Sequence, residues 1–163
     1  MFARGAQLRV EIRSRRVISS KLMRLAQSRY GSGGARRYDP AGMPSQDDVR
    51  RIALALPGAA EADGEFAFRA NGRLFVWAWL ERIDPKKARV PSREVVVVRV
   101  RDELDKQTLL AMGDPSIFTE PHFDGWPDVL IRLADINPAL IEKLISDSYQ
   151  LAVAKRPTGP RRG

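Results

Sequence analysis

Apolar residues recur at helical spacing in three parts of the chain, which predicts three helices. The first covers about 46–56, with Ser45 as its N-cap and the breaker Pro57 after it. The second runs from Asp102 to about 112, and the third runs from Asn137 to about 155. The predicted apolar contacts are Leu104, Leu109 and Leu110 in the second helix, and Leu140, Ile141, Leu144, Ile145, Tyr149 and Ala152 in the third.

Two runs in which aromatic residues alternate with other residues predict a β-hairpin in the middle of the chain. Its strands cover 65–70 and 73–80, and Asn71-Gly72 between them suits a two-residue type I′ turn, because both residues tolerate a positive φ. With such a turn, Ala70 lies opposite Arg73, Phe68 opposite Phe75, and Phe66 opposite Trp77. One face then holds Phe66, Phe68, Phe75, Trp77 and Trp79. The simplest interpretation of that face is hydrophobic core; a base-stacking platform and a partner interface are the alternatives.

Three further strands are predicted after the hairpin. The valine-rich run at 94–101 is typical of a buried strand, and 117–123 has the proline-interrupted pattern of a short edge strand. A last apolar run covers 129–133. The order helix, hairpin, strand, helix, strand pair, helix indicates an α+β fold, in which an antiparallel β-sheet is covered by helices on one face.

The positive charge is concentrated in the first quarter of the sequence. The formal net charge is +8 at pH 7, and residues 1–43 alone hold ten Lys and Arg against two acidic residues. Residues 44–154 hold 14 basic and 18 acidic residues, a net charge of −4, and four more basic residues follow. We therefore expect a basic, disordered arm over 1–43, a folded domain over 44–156 and a flexible basic tail over 157–163.

The arm allows several interpretations. Its apolar residues have loosely helical spacing, which would suit a fluctuating basic helix, and its Arg- and Ser-rich composition also resembles an organellar transit peptide. A third interpretation is that Met43 is the natural start and the arm is a translated upstream region, since a glycine-rich stretch at 31–34 separates the two. Both basic ends could bind phosphates, or they could be solvated tails without a partner.

The sequence lacks the motifs of the common catalytic and metal centres. The chain has no cysteine and one histidine, which excludes disulfides and thiolate sites and nearly excludes tetrahedral zinc. The stretch 31–34 lacks the lysine and hydroxyl residues of a phosphate-binding loop, and charged residues interrupt every apolar run. We expect a non-enzymatic, cytoplasmic protein with no catalytic residue, metal, small-molecule cofactor or membrane partner.

His122 is the remaining candidate for site chemistry. It follows Glu120 on the predicted edge strand, where a partly desolvated imidazole could act as an acid, a base or a ligand. The alternative is a structural histidine, hydrogen-bonded to the backbone near a bend.

Four segments together resemble the MmcQ/YjbR family. The first two are Leu54-Ala55-Leu56-Pro57-Gly58 followed by Glu61, and the hairpin at 68–75. The third is Pro121-His122-Phe123-Asp124-Gly125-Trp126-Pro127 before the strand at 129–133, and the fourth is the end of the last helix at 148–155. The resemblance covers roughly residues 46–157. It implies a small bacterial cytoplasmic protein with a fold similar to that of secretion chaperones, and DNA binding through a double-wing arrangement of the sheet. The resemblance implies no catalytic residue and no cofactor.

Transferred to this chain, the wings would be the hairpin tip and the loop after the second hairpin strand. The predicted DNA-binding residues are therefore Arg73, Lys86, Lys87, Arg89 and Arg93. The alternative function is a protein-interaction module without a nucleic-acid role, whose sheet face forms a homodimer or grips a peptide. A third hypothesis is an enzyme or small-ligand binder built around His122.

Overall fold

The computed structural model describes residues 21–22, 24–25, 27–30 and 42–154. Residues 42–154 form a six-stranded antiparallel sheet whose strands run in the order β1-β2-β3-β4-β6-β5, with helices on one face. This confirms the predicted α+β class. The helices are α1 Gln46–Leu54, α2 Glu103–Ala111 and α3 Pro138–Val153. The strands are β1 Ala59–Glu61, β2 Ala67–Ala70, β3 Arg73–Glu81, β4 Val90–Arg99, β5 Ile117–Phe118 and β6 Asp128–Arg132.

The helices begin at the capping residues that the sequence indicates. At α1, the Ser45 hydroxyl accepts a hydrogen bond from the Asp48 backbone N–H, and the Asp48 carboxylate accepts one from the Ser45 N–H at 3.0 Å. Asp102 caps α2 and Asn137 caps α3 in the same way, through side-chain oxygens that accept from the first turn. The Ser45 N–H and the Arg51 guanidinium hold the pKa of Asp48 below its usual range.

The hairpin of β2 and β3 turns where predicted. Asn71 and Gly72 have φ values of 50° and 73°, the left-handed conformation that a type I′ turn requires at both positions. Glycine adopts this conformation without the steric penalty of a side chain. Ala70 then pairs with Arg73, as the turn predicts.

The register that the turn predicts also holds for the next pair, Arg69 and Leu74, and is wrong beyond it. Phe68 pairs with Val76 rather than with Phe75, and Ala67 takes the place opposite Trp77. Phe75 is therefore an extra residue on β3, a β-bulge. Counting pairs outward from a two-residue turn assumes that the pairing is uninterrupted. Beyond the bulge, each β2 residue therefore pairs with a β3 residue one position later than this count predicts.

The bulge divides the five aromatic residues that were predicted to share one face. Phe68 and Phe75 are fully buried in the core beneath the helices, and Phe66 packs against that core. Trp77 and Trp79 lie half-buried on the opposite side of the sheet. The prediction of a single aromatic face is therefore wrong, because an inserted residue reverses the alternation of side chains.

Helix α3 holds the bulged residue against the core. Buried Ser148 donates a hydrogen bond of 2.8 Å from Oγ to the Phe75 carbonyl, giving this group a partner outside the sheet. Tyr149 packs edge-on against the Phe75 ring, with centroids 5.9 Å apart, and donates a hydrogen bond to the Pro57 carbonyl. The predicted apolar face of α3 is buried, except that Leu140 is half-buried.

Two predictions near the short edge strand need correction. Strand β5 covers only Ile117–Phe118, and Pro121–Phe123 forms a 3₁₀ helix instead of continuing the strand. Proline explains the change, because it has no N–H for the strand ladder but fits the first turn of a helix. Leu104, predicted as an apolar contact of α2, is exposed, whereas Leu109 is fully buried.

Most of the predicted arm 1–43 and all of the predicted tail 157–163 lie outside the described residues, so these boundaries stay predictions. The described residues between 21 and 30 are helical. Among them, Tyr30 packs against the core, where burial raises the pKa of its hydroxyl, and Arg29 forms an ion pair with Asp105. Over the described ranges, no helix has both the length and the apolar content needed to cross a membrane.

Candidate functional site

The sheet face away from the helices is only partly covered. Val97 pairs with Trp77 on one side and with Leu130 on the other, which places the three side chains on the same face. This face, which we call the open face, has its own small buried cluster of Val95, Val97, Phe123 and Leu130. Half-buried aromatic residues pack on the cluster, namely Trp77, Trp79 and Phe118.

Two adjoining depressions lie on the open face, with volumes of about 410 and 420 Å³. They share Trp79, Arg89 and His122, and we call them together the tryptophan groove. The other lining residues are Leu74, Trp77, Leu80, Phe123, Trp126 and Asp128 in the first part, and Glu81, Arg82, Ile83 and Glu120 in the second. The groove is therefore apolar at one end and charged at the other.

All three tryptophans of the protein line this groove. Trp79 stands in the middle, with its ring centroid 5.2 Å from that of Phe123 and 6.3 Å from that of His122. Trp126 is 59% exposed, although tryptophan is on average a well-buried residue. The groove thus leaves indole surface in contact with water.

Arginine side chains lie over three aromatic rings of the open face. The distances from guanidinium carbon to ring centroid are 5.8 Å for Arg89 and Trp79, 5.6 Å for Arg99 and Trp77, and 5.0 Å for Arg132 and Phe118. These are cation–π distances. The open face therefore combines aromatic surface with positive charge.

These arginines differ in their carboxylate partners. Arg99 makes two hydrogen bonds with buried Asp128, at 2.9 and 3.2 Å, and Arg132 lies 3.7 Å from Asp135. The Arg89 side chain instead donates a hydrogen bond of 3.3 Å to the Leu80 carbonyl. Since a backbone carbonyl carries no full charge, Arg89 has no ion-pair partner at the groove, and the acidic residues of the second depression, Glu81 and Glu120, form no ion pair with it.

Buried Lys106 fixes the wall of the groove that carries Trp126. It projects from α2, is only 2% exposed, and donates hydrogen bonds from Nζ to the carbonyls of Phe123 at 2.6 Å and Trp126 at 3.1 Å. A buried ammonium requires acceptors of this kind. The segment from the 3₁₀ helix to Trp126 is therefore tied to a helix of the core.

His122 lies in the 3₁₀ helix, not on a strand, and is exposed at the groove. Its ring packs edge-on against Phe123 at 5.2 Å and beside Trp79. Within the described part of the chain, no three His, Cys, Asp or Glu residues are grouped as metal ligands would be. The surroundings of His122 are thus those of an aromatic wall residue.

The structure does not bring the five predicted DNA-binding cations together. Arg73 begins β3, and the nine residues of that strand place it roughly 26 Å from the loop at the other end. Arg73 also pairs with Ala70, a residue of the helix-side core, so it lies on the face opposite the groove. The remaining four are Lys86, Lys87 and Arg89 in the loop and Arg93 on β4. Of the five, Arg89 lines the groove.

Ion pairing divides the cations of residues 42–154 into two regions. The cations on α1 and α3 have a carboxylate oxygen within 4.0 Å. The same is true of four others, Lys87, Arg99, Arg101 and Arg132. Buried Lys106 bonds to carbonyls. The cations of this range without an ion-pair partner are Arg69, Arg73, Arg82, Lys86, Arg89 and Arg93. All of them lie between β2 and β4.

Four residues of the groove and of the unpaired cations were not found from the sequence, namely Arg69, Arg82, Lys106 and Trp126. Lys106 could have been, because it precedes Leu109 by three residues and so shares the buried face of α2. Arg82 has no local signal beyond its place after a strand. Trp126 belongs to a family-like motif, but nothing in that motif says that its ring is exposed.

Comparison with protein families supplies the assignment. The family model described as YjbR matches residues 54–151, which include the hairpin, all lining residues of the groove and most of α3. The chain belongs to the YjbR family. This confirms the resemblance seen in the sequence, and it places the groove within the part of the chain that defines the family.

The relatives of this YjbR-family protein include mycobacterial proteins. The uncharacterized proteins Rv2570 and MT2646 of Mycobacterium tuberculosis and Mb2600 of Mycobacterium bovis are each 37% identical to it over 120 residues. That alignment covers 70% of this chain and 92% of each relative. No solved structure matches the chain. The names of these relatives carry no activity, so a functional proposal has to start from the groove and its charges.

Proposed function

We propose that this YjbR-family protein binds DNA, without catalysing a reaction on it, through phosphate contacts from the loop between β3 and β4 and from the adjoining strands. One observation carries the proposal: all surface cations of residues 42–154 without an ion-pair partner lie between Arg69 and Arg93. A cation that already has a carboxylate partner gains little from a phosphate. An unpaired one gains the full interaction and the release of counterions.

The charge of the surrounding domain orients the ligand. Residues 44–154 carry a net charge of −4, so a polyanion is repelled by most of this surface and attracted only where cations are in local excess. On the groove side that excess comes from Arg82, Arg89 and the neighbouring Lys86, which outnumber the two carboxylates of the second depression, Glu81 and Glu120. Arg69 and Arg93 lie farther along the strands. The hairpin tip has a smaller part than the family resemblance implies, because Arg73 lies on the other face.

The test compares two variants of the full chain that lose the same charge. K86Q/R89Q removes two unpaired cations near the groove, whereas R51Q/K143Q removes two cations that are paired on the helices. Both keep the ten cations of the arm. We expect K86Q/R89Q to weaken DNA binding and to lower the slope of log K against log salt by about 0.7–0.9 for each lost phosphate contact, and R51Q/K143Q to leave the slope unchanged.

Three results would contradict the proposal. The wild-type chain could fail to bind DNA even at low salt. Both variants could lose affinity equally, which would mean that only net charge matters. Binding could also be unaffected by either variant, which would assign it to the arm.

A protein-interaction module is the second candidate, and the exposure of Trp126 favours it. Tryptophan and arginine are the residue types that dominate protein–protein hot spots, and both line the groove. Sedimentation of the wild-type chain and of W126A tests its homodimer form, because a dimer that W126A dissociates would place the groove at a contact between two copies.

A further inference from the structure

The tryptophan groove offers a place for an unpaired base, and we propose that the DNA bound by this protein is single-stranded, with a base held against the indole rings of Trp79 and Trp126. This inference rests on the proposed DNA binding and names the form of DNA. It follows from the aromatic content of the groove, whereas the proposed function follows from ion pairing.

The groove has the size and chemistry of a nucleotide site. A depression of about 410 Å³ is within the range of small-ligand pockets, and its apolar end is lined by indole and phenyl rings. Arg89 stands at the junction of the two parts, without a carboxylate partner. A ligand with a flat ring and a negative charge fits the apolar end and the charged end of the groove at once. Each nucleotide of a nucleic-acid strand has this combination.

Duplex DNA cannot use the aromatic end of the groove. In a duplex the bases are stacked on each other, and only their edges are exposed in the major and minor grooves. A single strand can splay a base and stack its face on an aromatic side chain. Because Lys106 ties the Trp126 segment to α2, this wall is formed before the ligand arrives, which lowers the ordering cost of binding.

Charge argues against a second copy of the chain as the occupant. Glu81 and Glu120 balance Arg82 and Arg89 within the second depression, but residues 81–93 as a whole hold five basic and two acidic residues, a net charge of +3. A symmetric dimer contact would bring two such segments together, and their repulsion would oppose burial of the tryptophans. A polyanion is attracted by the same segment.

The test uses intrinsic fluorescence of the full chain, because all three tryptophans line the groove. The probes are oligothymidylate of about 20 nucleotides and a duplex of the same length at matched salt. We expect the single strand to quench tryptophan emission and to bind more tightly than the duplex. W126A should weaken single-strand binding roughly 5- to 150-fold, while the salt slope stays unchanged, because stacking is lost and the phosphate contacts remain.

The matched control is L104A, which removes an apolar residue of nearly the same exposure from α2, 58% against 59%. It should leave binding of both probes unchanged. A second variant, W79F, keeps an aromatic ring in the middle of the groove and should lose less affinity than W126A. Its folding can be checked by circular dichroism.

The outcomes separate the two proposals. Equal binding of duplex and single strand, with no quenching and no effect of W126A, would overturn the single-strand inference and leave phosphate binding intact. If the wild-type chain binds neither probe, the proposed function itself is overturned. A change of sedimentation mass in W126A would show that the groove covers a second copy, which also overturns the inference.

Discussion

Lys106 is the residue whose replacement tests most directly whether the groove wall is preorganised. The K106M variant keeps an unbranched apolar side chain in the space of the buried stem, but it has no ammonium. The carbonyls of Phe123 and Trp126 then lose their donor, and the link between α2 and the wall is cut.

The magnitude follows from the fate of the two carbonyls. Phe123 is 7% exposed, so its carbonyl has poor access to water, while Trp126 is exposed and its carbonyl can be hydrated. One unsatisfied buried carbonyl costs about 1–3 kcal/mol. The variant no longer has to bury an ammonium, which offsets part of this cost. We expect the free energy of unfolding to fall by about 2 kcal/mol, which lowers the urea midpoint by roughly 1 M.

Two measurements check this expectation. Urea unfolding followed by far-ultraviolet circular dichroism reports the stability, and acrylamide quenching of tryptophan emission under native conditions reports the exposure of the groove. K143M is the control, because Lys143 lies on α3 in an exposed pair with Asp147 worth about 0.3–0.5 kcal/mol. If K106M matches wild type in midpoint and in quenching, the wall is held by other contacts and the argument for preorganisation fails.

Two further predictions concern the scaffold. S148A should lower the free energy of unfolding by about 1–3 kcal/mol, since it leaves the Phe75 carbonyl without its partner, and S146A on the same helix should cost less than 0.5 kcal/mol; equal losses would mean that the bond to the bulge is unimportant. D48N should lower the free energy of unfolding at pH 7 and progressively less at acid pH. Because the pKa of Asp48 is lowered in the folded state, its contribution to stability is complete above the ordinary value of 3.8 and is lost as the pH falls through the folded value. A difference in urea unfolding that does not change with pH would refute this sign.

Local chemistry made most of the fold predictable. Ser45, Asp102 and Asn137 cap helices through bonds within one turn, and Asn71-Gly72 makes a turn whose conformation depends on those two residues alone. Such features depend on neighbours in sequence, so the sequence contains their causes. The break of the edge strand at Pro121 is of the same kind, and it could have been predicted from the missing N–H.

The candidate site was less predictable, because it depends on contacts between distant residues. Whether a lysine or arginine has a carboxylate partner is decided by tertiary packing, as the pair of Arg99 and Asp128 shows across two strands. Lys87 and Lys86 are adjacent in sequence, yet the ammonium of Lys87 lies 3.6 Å from the Asp84 carboxylate, whereas the ammonium of Lys86 has no carboxylate within 4.0 Å among the described residues. A cluster of cations in a sequence therefore overstates the charge that remains for a ligand.

The bulge at Phe75 determines where the site lies. Without it, Phe75 would share a face with Trp77 and Trp79, and one side of the sheet would have to accommodate all three rings. Ser148 and Tyr149 hold Phe75 on the helix side, and Ser148 is 73 residues away in the chain. The core thus takes the phenylalanines, and the alternation restarted after the bulge sends the tryptophans to the open face. An aromatic surface beside unpaired arginines is therefore a consequence of how α3 packs on β3, a cause that no local pattern in the hairpin contains.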